Sequence, residues 1–277
     1  NISLSFEMDK LESMTIYAKF DFCIPDFVEK YGASNLQALS TTGVRAKYMT
    51  PSFPSVTFPN HYSIVTGLYP SHHGLVDNSY IDVPTGAFYN MGNKKMVAEG
   101  KWYGGTPLWV LAEKQQMVTA SFYWVASEAA IQGIRPTYYY NYSEKVPIGT
   151  RIKAVKDWLT LPEENRPHLI TFYFPDVDHD AHDFGPEDPR VKKSVQFVDS
   201  SIHALQLALA PLNLPDSAVM RLNRIYPGSI VKTATSTVLV ARASAPNWIA
   251  GGEIGDTSVL PWTIEVLTSI VAPVKKP

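Results

Sequence analysis

Three polar clusters in this sequence have residue types suited to attack on an electrophile with the help of a cation. The densest is DVDHDAHD at positions 176–183, four Asp and two His in eight residues, with Asp178 and His182 among them. Carboxylate and imidazole are the donors that zinc takes. The second is Asp21, which closes an alternating apolar stretch. The third is Thr57, within TPSFPSVTFPNHYSIVTG and just ahead of an expected helix start. The positive field at a helix N-terminus favours an ionised hydroxyl and also binds anions such as phosphate. A bound metal lowers the hydroxyl pKa much further. Together these residues suggest metal-assisted attack on phosphorus by a threonine. Each also has a plainer reading. Asp21 suits a turn, Thr57 an ordinary helix cap, and the Asp/His run a solvated loop. His72-His73 reads as a polar turn, His61 and His168 as hydrogen-bonded side chains, and Tyr138-Tyr139-Tyr140 as packing.

The elements that must position these residues alternate. Residues 14–21, 44–48, 118–124 and 168–174 read as strands, the last (HLITFYF) apolar enough for a sheet covered on both faces. Helices are expected over 34–43, 60–66 closed by Gly67, from Thr106-Pro107 into LWVLAEKQQ, and over 151–159. The clearest starts at Asp188-Pro189 and carries Val191, Val195, Val198, Ile202, Leu205 and Leu209 on one face until Pro211. Such alternation implies an α/β sandwich with a mostly parallel central sheet flanked by helices, in which sites form beyond the carboxyl ends of the strands. Asp178 and His182 are expected in the loop after 168–174. From Asp216 the character changes. Residues 230–244 read as one strand or two and 258–271 as a helix, so the expected division is 1–215 for the catalytic core and 216–277 for a divergent tail.

Composition removes several function classes. The 277 residues carry a net charge of −2, which gives no basic footprint for duplex nucleic acid. No apolar run approaches the ~20 residues that span a bilayer. The lone cysteine, Cys23, excludes an intramolecular disulfide. The chain opens on Asn1 with no visible signal peptide. Two sequons, Asn1-Ile2-Ser3 and Asn141-Tyr142-Ser143, occur. Oligomeric state leaves no trace in the sequence.

The stretch TPSFPSVTFPNHYSIVTGLYPSHHGLVDN is very similar to the nucleophile region of the nucleotide pyrophosphatase/phosphodiesterase family of the alkaline phosphatase superfamily. PDFVEKYGASNLQAL, KWYGGTPLWVLAEKQ, YWVASEA, IRPTYYYNYSE and YFPDVDHDAHDFGP extend the resemblance in order over residues 21–214. It implies an alkaline-phosphatase-like fold, incomplete on its C-terminal side, and hydrolysis of phosphodiester or pyrophosphate bonds in a small nucleotide-type substrate. Thr57 stands at the family's nucleophile, which is also a metal ligand. Asp21 stands at a ligand of one zinc ion. Asp178 and His182 keep the family's distance to Gly185-Pro186 and stand at two ligands of a second zinc ion. Asn78 matches a donor to the phosphoryl oxygen, and Phe58 and Tyr173 match aromatic positions that hold the base. An extracellular or periplasmic home is implied as well. The chain departs from the family at Phe22 and Ile24 and at Ala181, where the family has Gly. It also lacks the Asp-His-Gly triplet after the 188–209 helix, and no His follows His203. The alternative is an inactive or truncated member acting as a binding or structural module.

Overall fold

The computed structural model describes residues 15–21, 26–42, 44–45, 51–212, 219–225 and 238–242. The strands among them are β1 (Thr15–Asp21), β2 (Val44–Arg45), β3 (Ser79–Asp82), β4 (Ala87–Asn90), β5 (Thr119–Phe122), β6 (Tyr138–Tyr139), β7 (Leu169–Phe174), β8 (Val219–Ile225) and β9 (Val238–Arg242). The helices are α1 (Phe27–Lys30), α2 (Ser34–Thr42), α3 (Thr57–Thr66), α4 (Pro70–His73), α5 (Lys94–Val97), α6 (Leu108–Lys114), α7 (Ile148–Leu159), α8 (Asp176–Phe184) and α9 (Pro189–Leu209). Strands β3 and β4 form a separate antiparallel hairpin, and the other seven make one sheet in the order β2-β9-β8-β1-β7-β5-β6. Only β9 runs against the rest. The expected mostly parallel sheet flanked by helices is what forms.

The apolar run of β7 explains its central place. Ile170, Phe172 and Phe174 on one face and Thr171 on the other are all buried, between β1 and β5. Helices α1, α2, α7 and α9 cover this sheet through Phe27, Leu36, Val155 and the Val191–Val195–Val198–Ile202 stripe. A second apolar cluster joins α3, β4 and α6 through Tyr62, Val65, Tyr89 and Trp109. Helix α9 begins as the sequence indicates, with the Asp188 side chain accepting from Arg190 N at 2.9 Å.

Several boundaries move. Helix α3 starts at Thr57, three residues ahead of the expected 60. Pro59 is no obstacle there, because the first turn of a helix has no use for its N–H. Gly67 ends α3 in the left-handed region at φ 67°. Helix α7 begins three residues ahead of the expected 151, and α6 begins one residue after Pro107. The largest correction concerns residues 176–184, expected as a loop and found as helix α8, which places Asp178 and His182 one turn apart. Part of the 230–244 stretch is β9; the expected helix over 258–271 lies outside the described residues.

Two polar devices hold this scaffold. The Glu113 carboxylate, near the end of α6, accepts from Thr119 N at 2.8 Å, Thr119 Oγ1 at 2.7 Å, Thr137 N at 2.9 Å and Thr137 Oγ1 at 2.9 Å. It thereby ties the start of β5 to the approach to β6. Glu113→Ala strands the backbone N–H of buried Thr119, while that of exposed Thr137 turns to water, and should cost about 1–2 kcal/mol in urea unfolding, with Glu113→Gln costing less. His73 is the second device. Leu75 N donates to its Nδ1 at 3.2 Å, so the proton sits on Nε2 and is given to Ser63 Oγ at 2.9 Å. Gly104 N bonds the His73 carbonyl at 2.8 Å, an approach that a Cβ at Gly104 would block, lying 2.8 Å from the same oxygen. Burial pushes the His73 imidazole down to about 4. The folded state therefore keeps it neutral, while the unfolded chain takes up a proton below ~6.5. Its contribution is complete above pH 6.5 and is lost as pH falls toward 4, roughly 3 kcal/mol in all. Urea midpoints at pH 7 and pH 4.5 should show this fall, and His73→Gln should flatten it.

Candidate active site

The N-terminus of α3 is built around one side chain from outside the helix. Val56, in the cap position with extended backbone (φ −94°, ψ 164°), offers no side-chain cap. Asn78 replaces it, its Oδ1 accepting from Phe58 N at 2.9 Å. Because the oxygen is the acceptor, the Nδ2 amide is the group left to donate, and it bonds none of the described residues. Asn78 is fixed by its own backbone, with N donating to Asp77 Oδ1 at 2.6 Å and O accepting from Met91 N at 2.9 Å. Asn60 Nδ2 donates to Pro54 O at 2.9 Å and Val56 O at 3.1 Å, which pins the preceding loop. Thr57 is thus the first residue of a ten-residue helix, half-buried, and its Oγ1 bonds none of the described residues.

An aromatic chain leads from this helix to β7. The Thr57 carbonyl accepts from His61 Nδ1 at 2.6 Å. The His61 ring stands edge-on to Tyr173 with centroids 5.1 Å apart, and Tyr173 lies 6.2 Å from Tyr142. On the other side Phe58 is 6.4 Å from Tyr89. Sequence reasoning assigns no site role to His61 or Tyr142. Tyr142 sits among so many tyrosines that its position carries no signal, and it is held by N to Glu128 Oε1 at 3.4 Å and OH to Glu144 Oε1 at 2.9 Å.

Three residues beyond Tyr173 the chain enters α8. Val177 and Ala181 are buried and anchor the helix, and Ala181 suits a helix better than Gly would. One turn apart on α8, Asp178 Oδ1 and His182 Nε2 are 3.4 Å apart, with side chains 12% and 62% exposed. The pair is therefore rooted in the protein at its carboxylate and reachable at its imidazole. Burial pushes the neighbouring Asp176 carboxyl above its usual range, against the lowering effect of Arg151. Among the described residues no group of three or more metal-ligating side chains gathers. The Asp21 side chain lies outside what the structure describes; its backbone ends β1 one residue beyond the Phe20–Phe174 pairing, beside the exit to α8. The arrangement thus joins Thr57 with Phe58 and Asn78, joins Asp178 with His182, and brings His61 of α3 against Tyr173, three residues ahead of α8.

Residues 19–221 match the family model described as type I phosphodiesterase/nucleotide pyrophosphatase. The chain belongs to this family. The human ectonucleotide pyrophosphatase/phosphodiesterase family member 1 is 41% identical over 179 residues, which is 65% of this chain and 19% of that protein. The venom phosphodiesterase of Naja atra is 38% identical over 180 residues, 65% of this chain and 22% of that protein. The chain therefore spans about a fifth of the length of the curated relatives it matches. Among solved structures, murine ectonucleotide pyrophosphatase/phosphodiesterase 5, as an inactive variant in complex with AMP, superposes with a TM-score of 0.72 at 24% identity. That likeness covers 77% of this chain and 56% of the other and shows the alkaline-phosphatase-like fold. For the type I phosphodiesterase family, the α3 N-terminus and the α8 pair both fall inside the matched residues.

Proposed function

We propose that this chain carries the nucleophile-bearing part of a phosphodiesterase that hydrolyses phosphodiester or pyrophosphate bonds of nucleotide-type substrates through Thr57. The observation that carries the reading is the α3 N-terminus, where a threonine with an uncommitted hydroxyl sits beside the outward amide of Asn78. The helix field favours both an anionic nucleophile and a bound phosphoryl group at this point. Thr57 Oγ1 attacks phosphorus, the P–O bond to the leaving alcohol or nucleotide breaks and that group departs with the threonine proton, and the rest of the substrate stays on Thr57 as a phosphodiester; water then attacks that phosphorus, releasing the nucleoside monophosphate and returning the threonine. Asn78 Nδ2 donates to the phosphoryl oxygen as charge builds on it. Asn78→Ala is expected to lower kcat by ~10²–10³. Phe58 on one side and Tyr173 on the other offer rings against a base.

The donor chemistry of Asp178 and His182 fits a divalent cation, one carboxylate and one imidazole on one helix face. Asp21 and Thr57 are the candidate donors to a second ion, and zinc suits this mixture of oxygen and nitrogen. When bound, such ions supply positive charge to the phosphoryl oxygens and lower the pKa of a hydroxyl they touch. The core over 1–215 then carries the chemistry, while the tail over 216–277 contributes strands to its sheet. The names of the ectonucleotide and venom relatives support an extracellular setting. The test is hydrolysis of a chromogenic nucleotide phosphodiester with and without a chelator, alongside measurement of zinc bound per chain. Turnover that a chelator abolishes and zinc restores supports the reading; metal-free protein without turnover favours a binding module instead.

A further inference from the structure

Arg151, on α7, is the buried cation of the sheet, with 6% of its surface exposed. Its guanidinium carbon lies 4.5 Å from the Phe172 ring centroid, 5.3 Å from Phe174, 5.4 Å from Tyr123 and 5.6 Å from Phe122. No carboxylate among the described residues lies within ion-pair distance of it, Asp176 acting on it only from further off, and its Nε finds no hydrogen-bond acceptor. A buried charge without a carboxylate in contact is costly, so stability alone does not account for it. What it does touch is specific. Nη2 donates to the Tyr173 carbonyl and reaches the Phe122 carbonyl at 3.5 Å. Those two carbonyls lie at the carboxyl ends of neighbouring parallel strands, β7 and β5. Tyr173 is the proposed base-holding ring, and α8 with Asp178 and His182 starts three residues later.

We infer that Arg151 is a positioning residue, which clamps the carboxyl ends of β5 and β7 through the Phe122 and Tyr173 carbonyls and so fixes both Tyr173 and the first turn of α8. The four rings replace the solvation that the guanidinium gives up. Nη2 reaches both carbonyls while the flat guanidinium face rests on the rings, whereas a lysine ammonium on the same stem has no delocalised face to lay against them. The inference rests on the proposed function in one respect only, that Tyr173 and α8 belong to the site.

The test is hydrogen–deuterium exchange on the full chain with Arg151→Met and Arg151→Lys, together with KM and kcat for the chromogenic diester. Arg151→Met is expected to speed exchange over residues 173–182 by about tenfold or more while α9 keeps its protection, since local opening is separate from global unfolding. Arg151→Lys should fold normally and fall between the two. KM should rise by ~10–10² in Arg151→Met, and partly in Arg151→Lys, because small misplacements at a site carry costs of that order. Exchange over 173–182 that matches the unaltered protein in both variants overturns the inference. So does loosening spread evenly over α9, which marks a merely structural role, and so does loosening with KM and kcat unmoved. If the unaltered chain shows no turnover, the proposed function fails, while the exchange pattern still decides whether the clamp exists.

Discussion

Thr57→Ala is expected to lower phosphodiester turnover by at least about 10³-fold, since it removes the atom proposed to form the covalent bond. The same change should leave unfolding within about 0.5 kcal/mol of the original, because Thr57 Oγ1 bonds none of the described residues and the cap of α3 comes from Asn78. This separation of activity from stability is the informative part. Thr57→Ser keeps the hydroxyl and should retain measurable turnover, with a nucleotidyl group trapped on the chain after acid quench. Steady-state rates and urea midpoints on the three proteins decide the matter. Undiminished hydrolysis by Thr57→Ala would remove the threonine from the mechanism.

The second large effect is expected at α8. If Asp178 and His182 are the donors proposed above, His182→Ala and Asp178→Ala should each weaken zinc binding by about 100-fold or more, since even outer-shell losses cost 10–100-fold. His182 is the cleaner variant, being 62% exposed, so its removal leaves the packing of α8 intact. Competition against a chromogenic chelator reads the affinity, and kcat measured at saturating zinc should recover partly in His182→Ala. Zinc affinity equal to that of the unaltered chain in both variants would move the metal site elsewhere.

Much of the scaffold is legible in the amino-acid sequence, for identifiable reasons. Helix α9 has an Asp cap, Pro at its first position and an apolar stripe at helical spacing, and its ends fall where those signals put them. Strand β7 is apolar throughout because it is covered on both faces. Helix α8 is hidden because DVDHDAHD is acidic enough to read as solvent-exposed loop; two buried side chains, Val177 and Ala181, anchor it against the sheet. The start of α3 is hidden by Pro59, whose usual meaning reverses within a first turn. Thr57, Asn78, Asp178 and His182 stand out through the family motifs that contain them. The contact of α3 with β7 by way of His61 and Tyr173 depends on rings brought together from separate elements, which no local pattern records. The place of β8 between β1 and β9 is likewise a matter of long-range pairing.

Setting Asp178 and His182 one turn apart on a single helix has a mechanical consequence. The bite of such a chelate is fixed by helical pitch, about 5.4 Å per turn, and not by the docking of one segment on another. When α8 rocks against the sheet, both donors travel together and their separation is preserved. On the proposed reading, this pair offers a cation two donors whose spacing does not depend on how the remaining coordination sphere settles.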